Sequence, residues 1–305
     1  MSASTAELVR KIGSAEDLQS VVRTMKAIAA SRITQYEASV RALADYYRTV
    51  QLGLGACLRA YGPVPAVGAG AAVHDGGAIG AVVFGSDQGL VGAFNQQLAD
   101  YTRETLAALP GPVEVWAVGE RVQARLAEAG VPLVGLFTVP HSVKAIAPLV
   151  GRIQIEREAH QARQARGRQH AQFYVFHHRP RPGGLYQPVH QRLLPLDARW
   201  ESDLAKVPWP TRYRPEVLGG TTTLRALIRE HLFISLFQAC AESLASENAS
   251  RLAAMERADR NIDSLLETLH GRFHRLRQGS IDEELFEVVA GHDALDQPTH
   301  AGGAS

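Results

Sequence analysis

The sequence predicts an α/β protein in which the N-terminal and C-terminal segments are long helices that pair as an antiparallel coiled coil and are joined to a central domain. Three observations support this fold class. Fourteen of the fifteen prolines lie between Pro63 and Pro215, so both flanking arms are free of the residue that breaks helices. Each arm repeats apolar residues at steps of three or four. The middle segment alternates strand-like and helix-like patterns.

The first arm, residues 1–60, has the pattern of one continuous helix. Its apolar stripe comprises Leu8, Ile12, Ala15, Leu18, Val22, Met25, Ala29, Ile33, Tyr36, Val40, Leu43, Tyr47, Val50 and Leu54. The second arm, residues 216–290, has a helix-start signal, Gly-Gly-Thr-Thr, at residues 219–222. The apolar pattern then continues from Leu224 to Leu285. Because propensity alone gives a long helix little stability in water, each stripe needs an apolar partner, and we expect the two arms to cover each other.

A compact bundle of several ordinary helices is the alternative for the arms. Glycine costs roughly 1 kcal/mol against alanine inside a helix. The arms contain Gly13, Gly53, Gly55, Gly271 and Gly279, which are their weak points. A seam of this length without proline or caps favours the coiled coil.

The central domain is predicted at residues 78–215, after a linker rich in glycine, proline and alanine at residues 61–77. Strands are predicted at residues 78–84, 113–118, 133–139 and 172–176. Helices are predicted from Phe94 through Tyr101, over residues 120–129, and from about Pro148 to Gln161. This alternation is typical of a Rossmann-like α/β domain with a mostly parallel sheet.

The central domain shows no recognisable active site. The turn at residues 85–92, GSDQGLVG, lies between a strand and a helix, where phosphate-binding loops occur, yet it is neither G-x-G-x-x-G nor a Walker loop. His177 and His178 have no cysteine or acid at metal-ligand spacing. We therefore expect no catalytic residue, no cofactor and no metal site in this chain.

Charge is balanced overall and uneven locally. The formal net charge is +1, which gives no global attraction to nucleic acid or anionic lipid. The arms carry basic residues, namely Arg10, Lys11, Arg23, Lys26, Arg32, Arg251, Arg257, Arg260, Arg272, Arg275 and Arg277, and the C-terminal end is acidic. Such charges usually mark a solvated face, and the functional interpretation is a basic shaft that meets an acidic partner. Two cysteines and no signal-like N-terminus are typical of a soluble, cytoplasmic protein.

The second arm resembles a known family. Its residues 242–255, ESLASENASRLAAM, together with Asn261 and residues 277–291, RQGSIDEELFEVVAG, closely resemble the C-terminal signature of the gamma subunit of F-type ATP synthases.

Three further stretches resemble the same family in the same order along the chain. They are MKAIAASR at residues 25–32, SDQGLVGAFN at 86–95 and QRLLP at 191–195. The resemblance implies a central rotor stalk that couples ion flow through the membrane to conformational change at catalytic alpha and beta sites. It also implies the alpha and beta subunits, the epsilon subunit and the c-subunit ring as partners. The implied location is peripheral, on the cytoplasmic face of the inner membrane, in a divergent bacterial branch.

The resemblance also implies which residues contact partners. The shaft would meet the beta-subunit loops at Met25, Lys26 and Arg251, and its C-terminal end would be gripped at Arg277, Gln278, Asp282 and Glu284. The central loop comprises Ser86, Asp87, Gln88 and Gly89. The chain departs from the family at Gln88, where a basic residue is usual, and at Asp282, where threonine is common. Residues 291–305 run to the end of the chain as a tail that we expect to be disordered.

Two other functional classes remain open from the sequence. A coiled-coil adaptor would tether two partners without rotating, and its binding would leave nucleotide turnover unaffected. An enzyme built on the α/β domain would need a ligand in the loop at residues 86–92.

Overall fold

The computed structural model describes residues 3–62, 77–163, 170–181, 185–213 and 215–295. In chain order the elements are α1 (Ala3–Tyr61), β1 (Ala78–Phe84), α2 (Phe94–Ala107), β2 (Val113–Val118), α3 (Glu120–Glu128), β3 (Leu133–Phe137), a 3-10 turn (Val143–Ala145), α4 (Ile146–Arg163), β4 (His170–Pro180), β5 (Tyr186–Leu194), α5 (Ala198–Lys206) and α6 (Gly220–Leu295). Most of the predicted linker, residues 63–76, and the end of the predicted tail, residues 296–305, lie outside the described residues. Residues 291–295 of that tail belong to α6.

Each arm is a single unbroken helix. Helix α1 has 59 residues and α6 has 76, so the alternative of several short helices is wrong. The glycines do not interrupt the helices, and Gly55 has a packing reason. A Cβ at Gly55 would lie 2.6 Å from the carbonyl oxygen of Leu204, so only glycine lets α1 approach α5 this closely.

The chain divides into two compact units, and both long helices contribute to each of them. The first unit comprises residues 1–27 and 255–305. In it, Lys26 Nζ donates to Asp259 Oδ2 at 2.8 Å, and the Gln19 side chain donates to Asp263. Leu8, nearer the start of α1, lines the same groove as Leu276. Residue numbers fall along α1 from Lys26 to Leu8 while the numbers of their partners in α6 rise from Asp259 to Leu276. The helices therefore pair antiparallel, as predicted.

The predicted stripe is only partly buried in this unit. Val22 and Ile262 are buried at the seam, whereas Leu18 is 55% exposed. A straight helix drifts by about 20° per heptad against a 3.5-residue repeat, which moves some stripe positions off the contact. Further along α6, the stripe residues Ile281 and Leu285 are exposed.

The second unit, residues 28–254, contains a five-stranded sheet in the order β3-β2-β1-β4-β5. Strands β1 to β4 are parallel, and β5 runs antiparallel to β4. The prediction of a mostly parallel sheet is confirmed. The sequence did not indicate β5 as a strand, because its polar residues and Pro188 weaken the pattern; proline is tolerated on an edge strand such as this one.

The sheet is covered on both faces by apolar cores. One core joins side chains such as Val82, Trp116 and Val175 to α1, α4 and α6. The other joins Val83 and Phe176 to α2 and α3. The arms also pair antiparallel within this unit, where Tyr46 Oη donates to Glu230 Oε1 at 2.6 Å and Gly53 lies against Leu227.

Helix α5, which the sequence did not predict, packs against the ends of α1 and α6 that adjoin the sheet. Asp197 caps it by accepting hydrogen bonds from two backbone amides. Its Trp200 ring lies 4.9 Å from the ring of His231 on α6, and the His231 ring also stacks on Tyr47 at 5.6 Å. His231 is buried, and its Nδ1 has no hydrogen-bond partner among the described residues. Burial lowers the pKa of His231 to about 4.

We predict that the stability of the chain falls on acidification through His231. The folded pKa lies below the usual value of 6.5, so the unfolded state takes up the proton first, and stability is present above pH 6.5 and is lost as the pH falls toward 4. Between pH 7.5 and pH 5, His231→Phe should therefore lose about 2 kcal/mol less unfolding free energy than the wild type. Urea denaturation at both pH values measures this. His274→Phe, the same change at an exposed position of the same helix, is the matched control for the substitution itself.

Candidate functional site

Helix α6 lies over the edge of the sheet where α/β proteins usually bind ligands. In an open parallel sheet, ligands bind at the carboxyl ends of neighbouring strands whose connections leave in opposite directions. Here those strands are β1, which connects onward to β2, and β4, its neighbour on the other side. Serine side chains of α6 bond to carbonyl oxygens along this edge: Ser243 to Phe84 at 2.7 Å and Ser246 to His178 at 3.2 Å.

Small residues make this close approach possible. Every residue of α6 from Ala239 to Asn248 is buried, and alanine or serine occupies five of these ten positions. Further along the same helix, Ser250 Oγ donates to the carbonyl oxygen of Val91, in the turn at residues 85–92, at 2.6 Å. The helix therefore fills the crevice that a nucleotide would need.

The central loop uses its polar side chains to hold its own shape. Asp87 accepts from the backbone amide of Glu120 at 3.0 Å and from that of Val139 at 2.8 Å. Ser86 is buried, and its hydroxyl donates to the carbonyl oxygen of Gln88 at 2.9 Å. The side chain of Gln88 is exposed. These bonds tie the loop to α3 and to the segment after β3, and they leave neither Ser86 nor Asp87 available for a phosphate.

A charged anchor joins α6 to β4. Glu242 is buried, and its Oε2 accepts from His177 Nε2 at 2.9 Å and from Arg179 Nε at 2.8 Å. Its Oε1 accepts from Gln238 Nε2 at 2.7 Å. Burial by itself would raise the pKa of Glu242, but the three hydrogen bonds outweigh it and lower the pKa to about 2. Burial lowers the pKa of His177, so we assign a neutral imidazole that donates its Nε2 proton to a carboxylate.

This anchor gives His177 a hydrogen-bond partner that its neighbours in the sequence did not indicate. His177 does have an acid partner, 65 residues away along the chain, and only the fold brings it near. The partnership is a hydrogen bond within the protein core. His178 points to the other side of the sheet, where its Nε2 bonds the carbonyl oxygen of Phe94 at 2.8 Å.

Two of the predicted contact residues are engaged within the chain. Arg251 is buried and donates to Glu247 Oε1 at 2.6 Å, one helical turn away. Burial raises the pKa of Glu247, against the opposing effect of Arg251. Lys26 bonds Asp259, which also lies 3.4 Å from Arg23 Nε. The sequence interpretation left these cations as a solvated face or as a basic surface for an acidic partner, whereas the structure pairs them with carboxylates that all lie on α6.

Comparison with known proteins gives the chain its relatives. A family model described as ATP synthase matches residues 4–295. The ATP synthase gamma chain of Moorella thermoacetica is 28% identical over 296 residues, which cover 95% of this chain and 98% of that relative. The chain belongs to the gamma-chain family of ATP synthases. The resemblance that the sequence motifs indicated is thereby confirmed.

Solved structures share the fold of this gamma-family chain. The rotor of the Euglena gracilis mitochondrial ATP synthase in rotational state 1 matches with a TM-score of 0.58 at 12% identity, over 91% of this chain and 99% of that one. A chain of the OSCP/F1/c-ring structure of the same enzyme in rotational state 3 gives 0.61 at 14% identity, over 99% of both. A chain of the central stalk and c-ring of the Tetrahymena thermophila enzyme gives 0.54 at 17% identity, over 78% and 99%. These matches confirm the predicted fold class.

The remaining contact residues predicted from the family lie near the end of α6. Arg277, Gln278, Asp282 and Glu284 are all exposed, and within the described residues none of these side chains makes a hydrogen bond or ion pair. Met25 is half-buried. None of the described helices is both long and apolar enough to cross a bilayer.

We predict that a large side chain at Ser246 forces α6 away from the sheet. Ser246 is completely buried against β4, so Ser246→Leu should lower the unfolding free energy by about 1–3 kcal/mol through overpacking and loss of its hydrogen bond. The same change at exposed Ser264 on the same helix should alter it by less than about 0.5 kcal/mol. Urea denaturation of the purified chain compares the two. Equal stability of both variants would show that the edge of the sheet leaves room for a ligand.

Proposed function

We propose that this chain is the central rotor stalk of an F-type ATP synthase and that its rotation couples ion flow through the membrane to ATP synthesis or hydrolysis at alpha and beta catalytic sites. The observation that carries the proposal is the family match over residues 4–295, which spans both long helices and the α/β domain.

The rotor works through contacts that differ from one angular position to the next. A partner changes its equilibrium only when it contacts two of its states differently. The end of α6 offers such contacts, because Arg277 and Gln278 are followed by an acidic stretch that contains Asp282 and Glu284 on an exposed surface. A catalytic ring that surrounds this surface meets a different mixture of charge at each rotational position.

The chain contributes no chemistry of its own in this proposal. The ligand crevice of the sheet is filled by α6, and the polar groups of the loop at Ser86 and Asp87 bond within the protein. ATP is made and cleaved by the alpha and beta subunits, and rotation of the stalk sets the order in which their catalytic sites change conformation. We place the epsilon subunit and the c-subunit ring on the α/β domain, with the complex at the cytoplasmic face of the inner membrane.

Assembly with its partners tests the function. The chain is co-expressed with the alpha and beta subunits of the same organism, and a fluorescent label is attached at an exposed α2 position through Glu104→Cys. ATP should drive stepwise rotation of the label in immobilised complexes, whereas the isolated chain should release no phosphate from ATP. A complex that hydrolyses ATP while the label stays still would favour the non-rotating adaptor. Hydrolysis that follows the isolated chain would favour the enzyme.

The exposed residues near the end of α6 give a sharper prediction. Arg277→Ala and Gln278→Ala remove side chains without described partners, so the unfolding free energy of the isolated chain should change by less than about 0.5 kcal/mol. In the assembled complex the same changes should lower the ATP hydrolysis rate, because contacts of these side chains exist only there. Arg275→Ala, an exposed arginine that bonds its own helix backbone, is the matched control. Unchanged hydrolysis in both variants would remove these two residues from the partner surface.

A further inference from the structure

The junction between α6 and the sheet is held by apolar packing, by serine hydrogen bonds to strand carbonyls and by a charged anchor. Apolar packing and the small residues from Ala239 to Asn248 bring the helix close, but apolar contacts have no preferred direction. Hydrogen bonds to an ionised group are short and directional. Glu242 is the one buried carboxylate of the described α6 that receives bonds from the sheet, and two donors of β4 converge on the same oxygen.

The donors lie on a part of β4 that extends past its neighbour. The register of β1 with β4 ends at the pair Val83 and Phe176, whereas β4 continues to Pro180 and pairs there only with β5. His177 and Arg179 are two residues apart and therefore project from the same face. That face is the one that carries Phe173 and Val175 into the core shared with α6. Strand β4 thus reaches beyond the body of the sheet to hold the helix.

The arrangement fits a contact that resists rotation of α6 better than one that only adds cohesion. Rotating α6 about its own axis by a small angle would keep most of its apolar contacts, since alanine and serine surround the site on the helix. The same rotation would carry the Glu242 carboxylate away from both β4 donors and leave a buried charge without its bonds. The same rotation would also break the bonds of Ser243 and Ser246 to the strand carbonyls, but these join neutral groups. Hydrogen bonds to an ionised group are roughly twice as strong, so the energy of the junction rises most steeply with rotation at Glu242.

We propose that Glu242 is a positioning residue for energy coupling, whose carboxylate, held by His177 and Arg179, fixes the rotational setting of α6 on the α/β domain while torque passes between them. This inference rests on the proposed rotor function. Torque that enters through the domain from the membrane ring reaches the catalytic sites only if the helix does not slip. Hydrolysis without an opposing ion gradient places less load on the junction than gradient-driven synthesis does.

The test compares synthesis with hydrolysis in the complete complex, reconstituted in sealed vesicles. Glu242→Gln keeps the shape of the side chain and removes its charge. Its hydrolysis rate without an ion gradient should stay within about twofold of the wild type, while gradient-driven ATP synthesis should fall at least about fivefold, the lower end of measured coupling effects. Glu230→Gln is the matched control: the same change on the same helix, at a carboxylate that bonds Tyr46 of α1 and not the sheet. It should keep both rates near the wild type.

A second variant keeps the inference testable if Glu242→Gln does not assemble. Arg179 has a side chain that is 46% exposed, so Arg179→Met should fold while it removes one of the two β4 donors. It should show the same selective loss of synthesis, smaller in size. Arg179→Met removes a bond that Glu242→Gln already weakens, the one between Arg179 and Glu242. The double variant should therefore lose no more synthesis than Glu242→Gln alone.

Each other outcome contradicts one specific statement. Equal losses of synthesis and hydrolysis in Glu242→Gln, or rates like those of Glu230→Gln, would reduce Glu242 to a structural residue. If only Arg179→Met assembles, normal synthesis in that variant would do the same. A wild-type complex that hydrolyses ATP but shows neither rotation nor gradient-driven synthesis would refute the rotor function itself.

Discussion

The structure depends on the docking of one helix over the carboxyl edge of a parallel sheet. In most α/β domains this edge is left open for a ligand. Here serines of α6 donate hydrogen bonds to the carbonyl oxygens at the strand ends. Glu242 accepts hydrogen bonds from His177 and Arg179 of β4. The position that would hold a substrate in an enzyme is thus occupied by the chain's own C-terminal helix, and the domain holds that helix in place.

Some charged residues of the long helices form ion pairs within the chain, and others are exposed without a partner among the described residues. Lys26 and Arg251 bond carboxylates of the same chain, so their positive charge is largely balanced before any partner arrives. The residues from Arg277 to Glu284 have no such partners in the described structure and are exposed. Because an exposed ion pair contributes little to stability while an unpaired surface charge is free to act on a neighbour, the end of α6 is better suited to contact a changing partner than the middle of the shaft.

Buried polar groups are concentrated where elements meet. Glu242 joins α6 to β4, and Glu247 and Arg251 pair with each other further along α6. The His231 ring contacts Tyr47 and Trp200 where α1, α5 and α6 converge. Removing one member of the Glu242 or the Glu247 cluster leaves a polar group buried without its partner, which costs more than the bond contributed. The junctions therefore have one preferred geometry, a useful property in a protein that transmits a mechanical load.

The sequence by itself determined the features that depend on local pattern. Two proline-free arms with apolar steps of three and four specified two unbroken helices, and short apolar runs specified β1 to β4, because helix periodicity and buried strands are written in neighbouring residues. Strand β5 and helix α5 were missed, since polar residues and Pro188 obscure them. The motif at residues 242–255 was recognised from its family, but its physical role was not visible, because Glu242 meets a strand 65 residues away. Which cations are paired, which stripe residues stay exposed and what fills the ligand crevice were decided only by the tertiary structure, where distant residues come into contact.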